Sequence, residues 1–284
     1  MQYGYVWRLT AILLMGASWI AINQSAWAED SRQPDWKTGA TGELPAVSQP
    51  NGKLELGGGL FDADGAAYGA GSFSLPLGHS FGAQFDGFVG SFLGDPTVGA
   101  AGHLFWRDPA IGLLGIYGSH AYSSHVGGVH MDHAALEGEF YHDRLTLSGM
   151  AGAQFGDLEL APFTLAELAY YLNDEFQVSI GHNYADGVHG GEVGLERQVA
   201  RRSQTGLSLF GNAGLAEGGN YSVLAGFRLY FGADKSLVRR HREDDPRLRL
   251  PTDLFTMTSQ NVARAAGRLD PPLPPSPTAT NSVE

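Results

Sequence analysis

From Lys53 to Phe231 the chain falls into segments of about ten residues in which apolar positions alternate with polar or small ones. Side chains on a strand point to opposite faces with period two, so each segment predicts a strand with one apolar and one polar face. Between Phe81 and Val89, Phe81, Ala83, Phe85 and Val89 share one face while Gln84 and Asp86 take the other. Leu145, Leu147, Ala151 and Phe155 oppose Thr146, Ser148 and Gln154, and Phe176, Val178 and Ile180 oppose Gln177, Ser179 and Asn183. In the last segment Tyr221, Val223, Ala225, Phe227, Leu229 and Phe231 oppose Ser222, Gly226 and Arg228. The stretch from Ile111 to Tyr117 fits less well, being apolar on both faces.

Turn residues divide the region into strands over 53–61, 66–77, 80–91, 97–107, 111–119, 128–140, 144–155, 163–172, 175–184, 188–198, 204–214 and 220–231. The fold class expected is all-β, an antiparallel transmembrane β-barrel of about 12 strands (range 10–14) with a polar C-terminal tail. Each segment is near the ~9–11 residues that cross a bilayer at a tilt. The links at Gly78-His79, Asp108 to Ala110, Tyr141 to Asp143 and Asn173-Asp174 read as tight turns. Those at Ser119 to Gly127, Gly156 to Pro162 and Leu215 to Gly219 are longer, the asymmetry expected of periplasmic turns and outer loops.

The flanks divide the chain further. Arg8, the apolar run Ala11 to Ile22 and the small residues of Ala26-Trp27-Ala28 make residues 1–28 an expected cleaved signal peptide, an uncleaved anchor being the alternative. Residues 29–52 read as a polar linker, 53–231 as the barrel and 232–284 as a periplasmic, largely disordered tail. That tail carries Lys235, the basic run Arg239-Arg240-His241-Arg242, then Glu243-Asp244-Asp245, and a Pro-rich stretch from Pro271 to Pro277 that favours polyproline II. Binding peptidoglycan, folding back as a plug and hanging free are three roles left open for it.

Composition sharpens this picture. Gly accounts for 40 of 284 residues while the hydrophobic share is 43%, too high for a disordered Gly-rich chain. Charged residues are only 17%, sparse for a surface that meets water everywhere. The absence of Cys excludes thiolate chemistry and disulfides, so an exported chain must be held by other means, and barrel closure supplies one. Aromatics near strand ends, among them Trp106, Phe140, Tyr170 and Tyr171, suit interfacial girdles; core packing in a secreted soluble β-sandwich is the rival architecture.

Ala225-Gly226-Phe227-Arg228-Leu229-Tyr230-Phe231 resembles the terminal-strand signal of bacterial outer-membrane β-barrels (the porin-like superfamily). In that signal a Gly precedes alternating apolar residues that end on an aromatic. The resemblance implies that Gly226, Tyr230 and Phe231 are read by the barrel-assembly machinery and that the protein sits in outer-membrane lipid. In that group the aromatic usually ends the chain, whereas residues 232–284 follow here.

Within 51–231 there are 7 Lys and Arg against 19 Asp and Glu. By strand parity Asp86, Glu167, Glu192 and Glu196 face the lumen, with Arg107 and Arg228 as opposing bases. A lumen with excess carboxylate favours cations, which predicts a small, mildly cation-preferring porin-like pore for small solutes, small cationic ones among them. The alternatives are a non-conducting structural or interaction barrel, whose inward acids pair with arginine and whose tail binds an envelope partner, and a secreted sandwich that binds a ligand. No cofactor is expected. His120 and His125, by an outer loop, are the candidate metal ligands, interfacial histidines being the plainer reading. No catalysis is expected: Ser179 and His182 are three apart and face opposite sides of their strand. Nothing basic outside the tail suggests nucleic acid.

Overall fold

The computed structural model describes residues 44–61, 64–92, 94–124, 128–244 and 246. Twelve strands form one closed antiparallel barrel: β1 (Asn51–Phe61), β2 (Asp64–Leu77), β3 (Phe81–Phe92), β4 (Asp95–Asp108), β5 (Gly112–Ser123), β6 (Val129–His142), β7 (Leu145–Gly156), β8 (Ala161–Asn173), β9 (Phe176–Ala185), β10 (Val188–Arg202), β11 (Thr205–Ala216) and β12 (Tyr221–Phe231). Each strand pairs with its sequence neighbours. Closure comes from β1 against β12, in register from Gly52↔Phe231 to Phe61↔Ser222. No sheet edge remains, which is the condition for strands to cross lipid with every backbone group bonded. A secreted two-sheet sandwich is therefore excluded as the architecture.

The predicted two-residue period decides which way each side chain turns. Leu54, Leu56, Phe85, Leu104, Leu114, Ile116, Leu136, Leu147, Ile180, Val193, Leu209 and Phe227 all point outward and are exposed. Around a barrel this makes an apolar belt, which water would not support and lipid does. Leu136 lies midway along β6 and is 64% exposed. Leu136→Arg is expected to cost about 2–4 kcal/mol of barrel stability in lipid. Urea titration in bilayers would show it, with Leu136→Ile as the neutral comparison.

The barrel has two different ends. At one, where β1 begins and β12 finishes, strands are joined through 78–80, 109–111, 143–144, 174–175 and 203–204. We call this the turn end. At the opposite, loop end the links 124–128, 157–160 and 217–220 are longer, but 62–63, 93–94 and 186–187 are as short as the turns. The expected asymmetry thus holds at half of the loop-end connections.

Strand β5, apolar on both faces in the sequence, now has an explanation. Leu113 turns inward and packs with Phe105 of β4 and with Val47, from the segment that precedes β1. An inward apolar residue at that level is buried by the chain itself rather than by solvent.

Candidate functional site: the plugged mouth of the barrel

Two segments outside the strands, 44–50 and 232–244 with Pro246, fold onto the turn end. Both lie where the sequence suggested a polar linker and a largely disordered tail, for which folding back as a plug was one of three open roles. Ala46 and Val47 are wholly buried, as are Leu237 and Val238. The backbone N–H of Ala46 donates to His79 O (2.7 Å), and that of Ser48 donates to Glu243 O (3.0 Å), so the two segments are joined to a turn and to each other. Gly82 makes room for this: a Cβ there would meet the Phe105 ring and lie 2.6 Å from Val47 Cγ2.

The one helix among the described residues, α1 (Leu237–Glu243), carries the contact. Seven residues are too few to hold a helix in water, so its stability comes from docking. Arg240, His241 and Arg242 fall in its last turn, where cations complement the helix dipole. Arg240 Nε donates to Gln198 Oε1 on β10 (2.9 Å). Arg242 Nη2 donates to Leu145 O on β7 (2.8 Å) and to Thr146 Oγ1 (3.2 Å). His241 lies between Tyr171 of β8 (2.8 Å) and Tyr230 of β12 (3.2 Å). Gln84 of β3 donates to Pro246 O (3.3 Å), and Val238 N–H donates to Asp174 O (3.2 Å). Partners from β7, β8, β10 and β12, with β3 holding Pro246 just beyond, place the helix across the mouth rather than along one wall.

Ion pairs fix its two ends. Lys235 Nζ reaches Asp244 Oδ1 (2.5 Å), Glu243 Oε2 (3.1 Å) and Ser48 Oγ (2.7 Å), and Arg239 pairs with Glu243 (2.8 Å). At the β8–β9 turn, Glu175 accepts from Leu237 N–H (3.2 Å), Gln198 Nε2 (2.7 Å) and Arg201 Nη1 (3.2 Å). Burial raises its pKa, and Arg201 and the Leu237 N–H only partly oppose that. The Leu237 N–H and Arg240, which α1 brings beside it, oppose the rise, so docking of α1 and protonation of Glu175 are linked. Glu175→Gln, read by protease sensitivity of 233–246 against pH, is expected to flatten the resulting pH dependence.

Deeper in the lumen sit two buried polar clusters. In the first, Arg228 (β12) donates through Nε to Glu55 (β1, 2.5 Å) and through Nη1 to Glu196 (β10), while Tyr68 donates to Glu55 (2.5 Å) and Tyr230 to Glu196 (2.7 Å). In the second, His103 (β4) faces Asp86 through Nε2 (3.0 Å) and Glu137 through Nδ1 (2.9 Å). Only a ring protonated at both nitrogens can donate to both. Gln84 links this cluster to Pro246, donating also to Asp86 (2.8 Å). Toward the loop end the inner wall becomes apolar, with Phe61, Phe88, Phe92, Met131, Phe163, Phe210 and Leu224 in one cluster.

Asp86, Arg107, Glu167, Glu196 and Arg228 all face inward and are buried, and Glu192 is half-buried on the same wall. Glu196 and Arg228 come together. Asp86 joins His103 and Glu137, which the sequence reading did not single out although they share the inward parity. Arg107 Nη1 instead donates to Ala46 O (3.2 Å). Of the terminal-strand residues, Phe231 is outward, Gly226 lies opposite Gly57 and Phe210, and Tyr230 turns inward to hold the plug. His120 is on the outer surface at the loop end, 2.7 Å from Asp132 and stacked on His130; His125 lies outside the described residues. Among the described residues no three metal-binding side chains converge. Ser179 is inward and half-buried while His182 is outward and exposed.

No family model and no curated protein matches the chain. Among solved structures it is similar to the KdgM porin in complex with disordered oligogalacturonate (TM-score 0.49, 10% identity, 62% of this chain and 97% of that one). It is also similar to an outer-membrane channel from Pseudomonas putida F1 (TM-score 0.46, 12% identity, 66% and 97%). A third is outer membrane phospholipase A from Escherichia coli (TM-score 0.44, 12% identity, 68% and 93%). At the level of architecture, this closed 12-stranded chain resembles the bacterial outer-membrane β-barrels.

Proposed function

We propose that the protein is an outer-membrane porin-like barrel whose solute path is shut at the turn end by α1 and the segments beside it. The observation that carries this reading is the placement of α1 across the mouth, bonded to four strands spread around the barrel, with Pro246 just beyond it bonded to a fifth. The turn end faces the periplasm, as tight turns do in such barrels. With α1 withdrawn, the inner wall presents Glu55, Asp86, Glu137, Glu167, Glu192 and Glu196 against Lys53, Arg107 and Arg228. That balance supports a mild preference for small cationic solutes. The basic run of α1 is then the counter-charge that keeps an acidic lumen closed.

Planar-bilayer recordings of the full chain beside a chain ending at Phe231 test this. Steady, cation-selective conductance from the shortened chain, with the full chain closed most of the time, is expected. Silence from both heat-modifiable proteins would overturn the pore and leave the second reading, a non-conducting structural or interaction barrel. That reading draws on the apolar cluster lining the loop-end half of the lumen.

A further inference from the structure

The three basic side chains at the end of α1 are received by three tyrosines of the inner wall. Arg242 lies over the Tyr141 ring of β6 (5.1 Å to its centroid) and over that of Tyr171 (5.6 Å). Arg240 lies over Tyr230 (5.4 Å), and His241 bridges the hydroxyls of Tyr171 and Tyr230. Around them are acceptors that match a guanidinium: Thr146 Oγ1, Leu145 O and Gln198 Oε1, which take the arginine N–H groups. Carboxylates stand behind the rings. Glu139 accepts from the Tyr141 hydroxyl (2.6 Å), Glu196 accepts from that of Tyr230 (2.7 Å), and Glu196 lies 3.6 Å from His241. An electron-rich ring face backed by a carboxylate, with acceptors in the guanidinium plane, is the chemistry that selects a planar organic cation.

We propose that Tyr141, Tyr171 and Tyr230 form a guanidinium-recognising site at the barrel mouth, which α1 fills in the closed state and which binds a small arginine-like cation when α1 withdraws. This rests on reading α1 as a displaceable plug. In that arrangement the plug imitates its competitor: solute and helix present the same group to the same cage, so a solute that enters from the lumen favours the open mouth.

The test uses the full-length chain carrying Arg240→Ala and Arg242→Ala, checked for heat-modifiable mobility, and calorimetric titration with arginine amide, lysine amide and citrulline amide. Arginine amide is expected to bind this variant about tenfold or more tightly than it binds the unaltered chain, where α1 occupies the cage. Lysine amide binds more weakly, lacking the planar fork, and the uncharged citrulline amide does not bind. Adding Tyr171→Leu is expected to lower arginine amide affinity by about tenfold. Citrulline binding equal to arginine, equal arginine binding with and without the two substitutions, or indifference to Tyr171→Leu would each overturn the site. Should the double variant not fold, full-length Gly206→Val, which displaces Arg240, is titrated instead. Calorimetric binding by a barrel that stays silent in bilayers keeps the site and removes the pore. Conductance without binding keeps the pore and removes the site.

Discussion

Replacing Arg228 with methionine is expected to lower the stability of the barrel by about 3–5 kcal/mol, the largest loss of any single inward substitution. Arg228 is bonded to both Glu55 and Glu196, and all three side chains are buried. Without it two buried carboxylates lose their shared arginine and keep the hydroxyls of Tyr68 and Tyr230 as bonding partners. The cost arises from the orphaned charges rather than from a lost attraction. Adding Glu55→Gln and Glu196→Gln to Arg228→Met is therefore expected to restore most of the loss, a non-additivity that a simple loss of packing would not produce. The temperature at which the folded band converts to the unfolded one in SDS gels checks both halves. A triple variant no better than Arg228→Met would mean that the arginine acts through its contact with the Phe210 ring, 4.4 Å away.

That cluster also shows where sequence reading ends. The alternation in β3, β7, β9 and β12 is local, so strand positions and the inward turn of Asp86, Glu196 and Arg228 could be read directly. The Glu55–Arg228 pair joins residues 173 apart. It becomes visible only when β1 is known to close on β12, which no local pattern states. His103 and Glu137 share the inward parity with Asp86, yet the cluster depends on the stagger between β3, β4 and β6. The basic run of α1 left the tail's role open for a different reason. Four consecutive residues that are cationic or can become so ordinarily signal a solvated segment. Here the partners of Arg240, His241 and Arg242, namely Gln198, Thr146, Tyr171 and Tyr230, come from strands scattered along the chain, and only closure gathers them at one mouth. Leu113 belongs to the same class: an apolar residue on the polar face of its strand marked the place where Val47 docks.

Gly206→Val is expected to release the plug while leaving the barrel intact. The residue lies on the inner face of β11 beside Arg240, and an added Cβ would stand 2.7 Å from Gln198 Oε1 and 2.9 Å from Arg240 Nε and Nη2. A valine branch therefore takes the space of the guanidinium, which loses its bonds to Gln198 and Ala233 O and its place over Tyr230. β-Branched residues suit strands, so β11 itself is not weakened. Charge-assisted hydrogen bonds are worth about 1.5–3 kcal/mol, which puts the fall in the docked population at roughly tenfold to a hundredfold per bond lost. Two measurements should move together: protease cleavage within 233–246 and the open fraction in bilayers. Gly211→Val on the same strand is the comparison, since its added Cβ has no neighbour nearer than 3.8 Å. If Gly206→Val exposes the segment to protease but the bilayer stays silent, the mouth is not what closes the barrel. The apolar cluster at the loop end would then be the barrier, and α1 a structural brace rather than a gate.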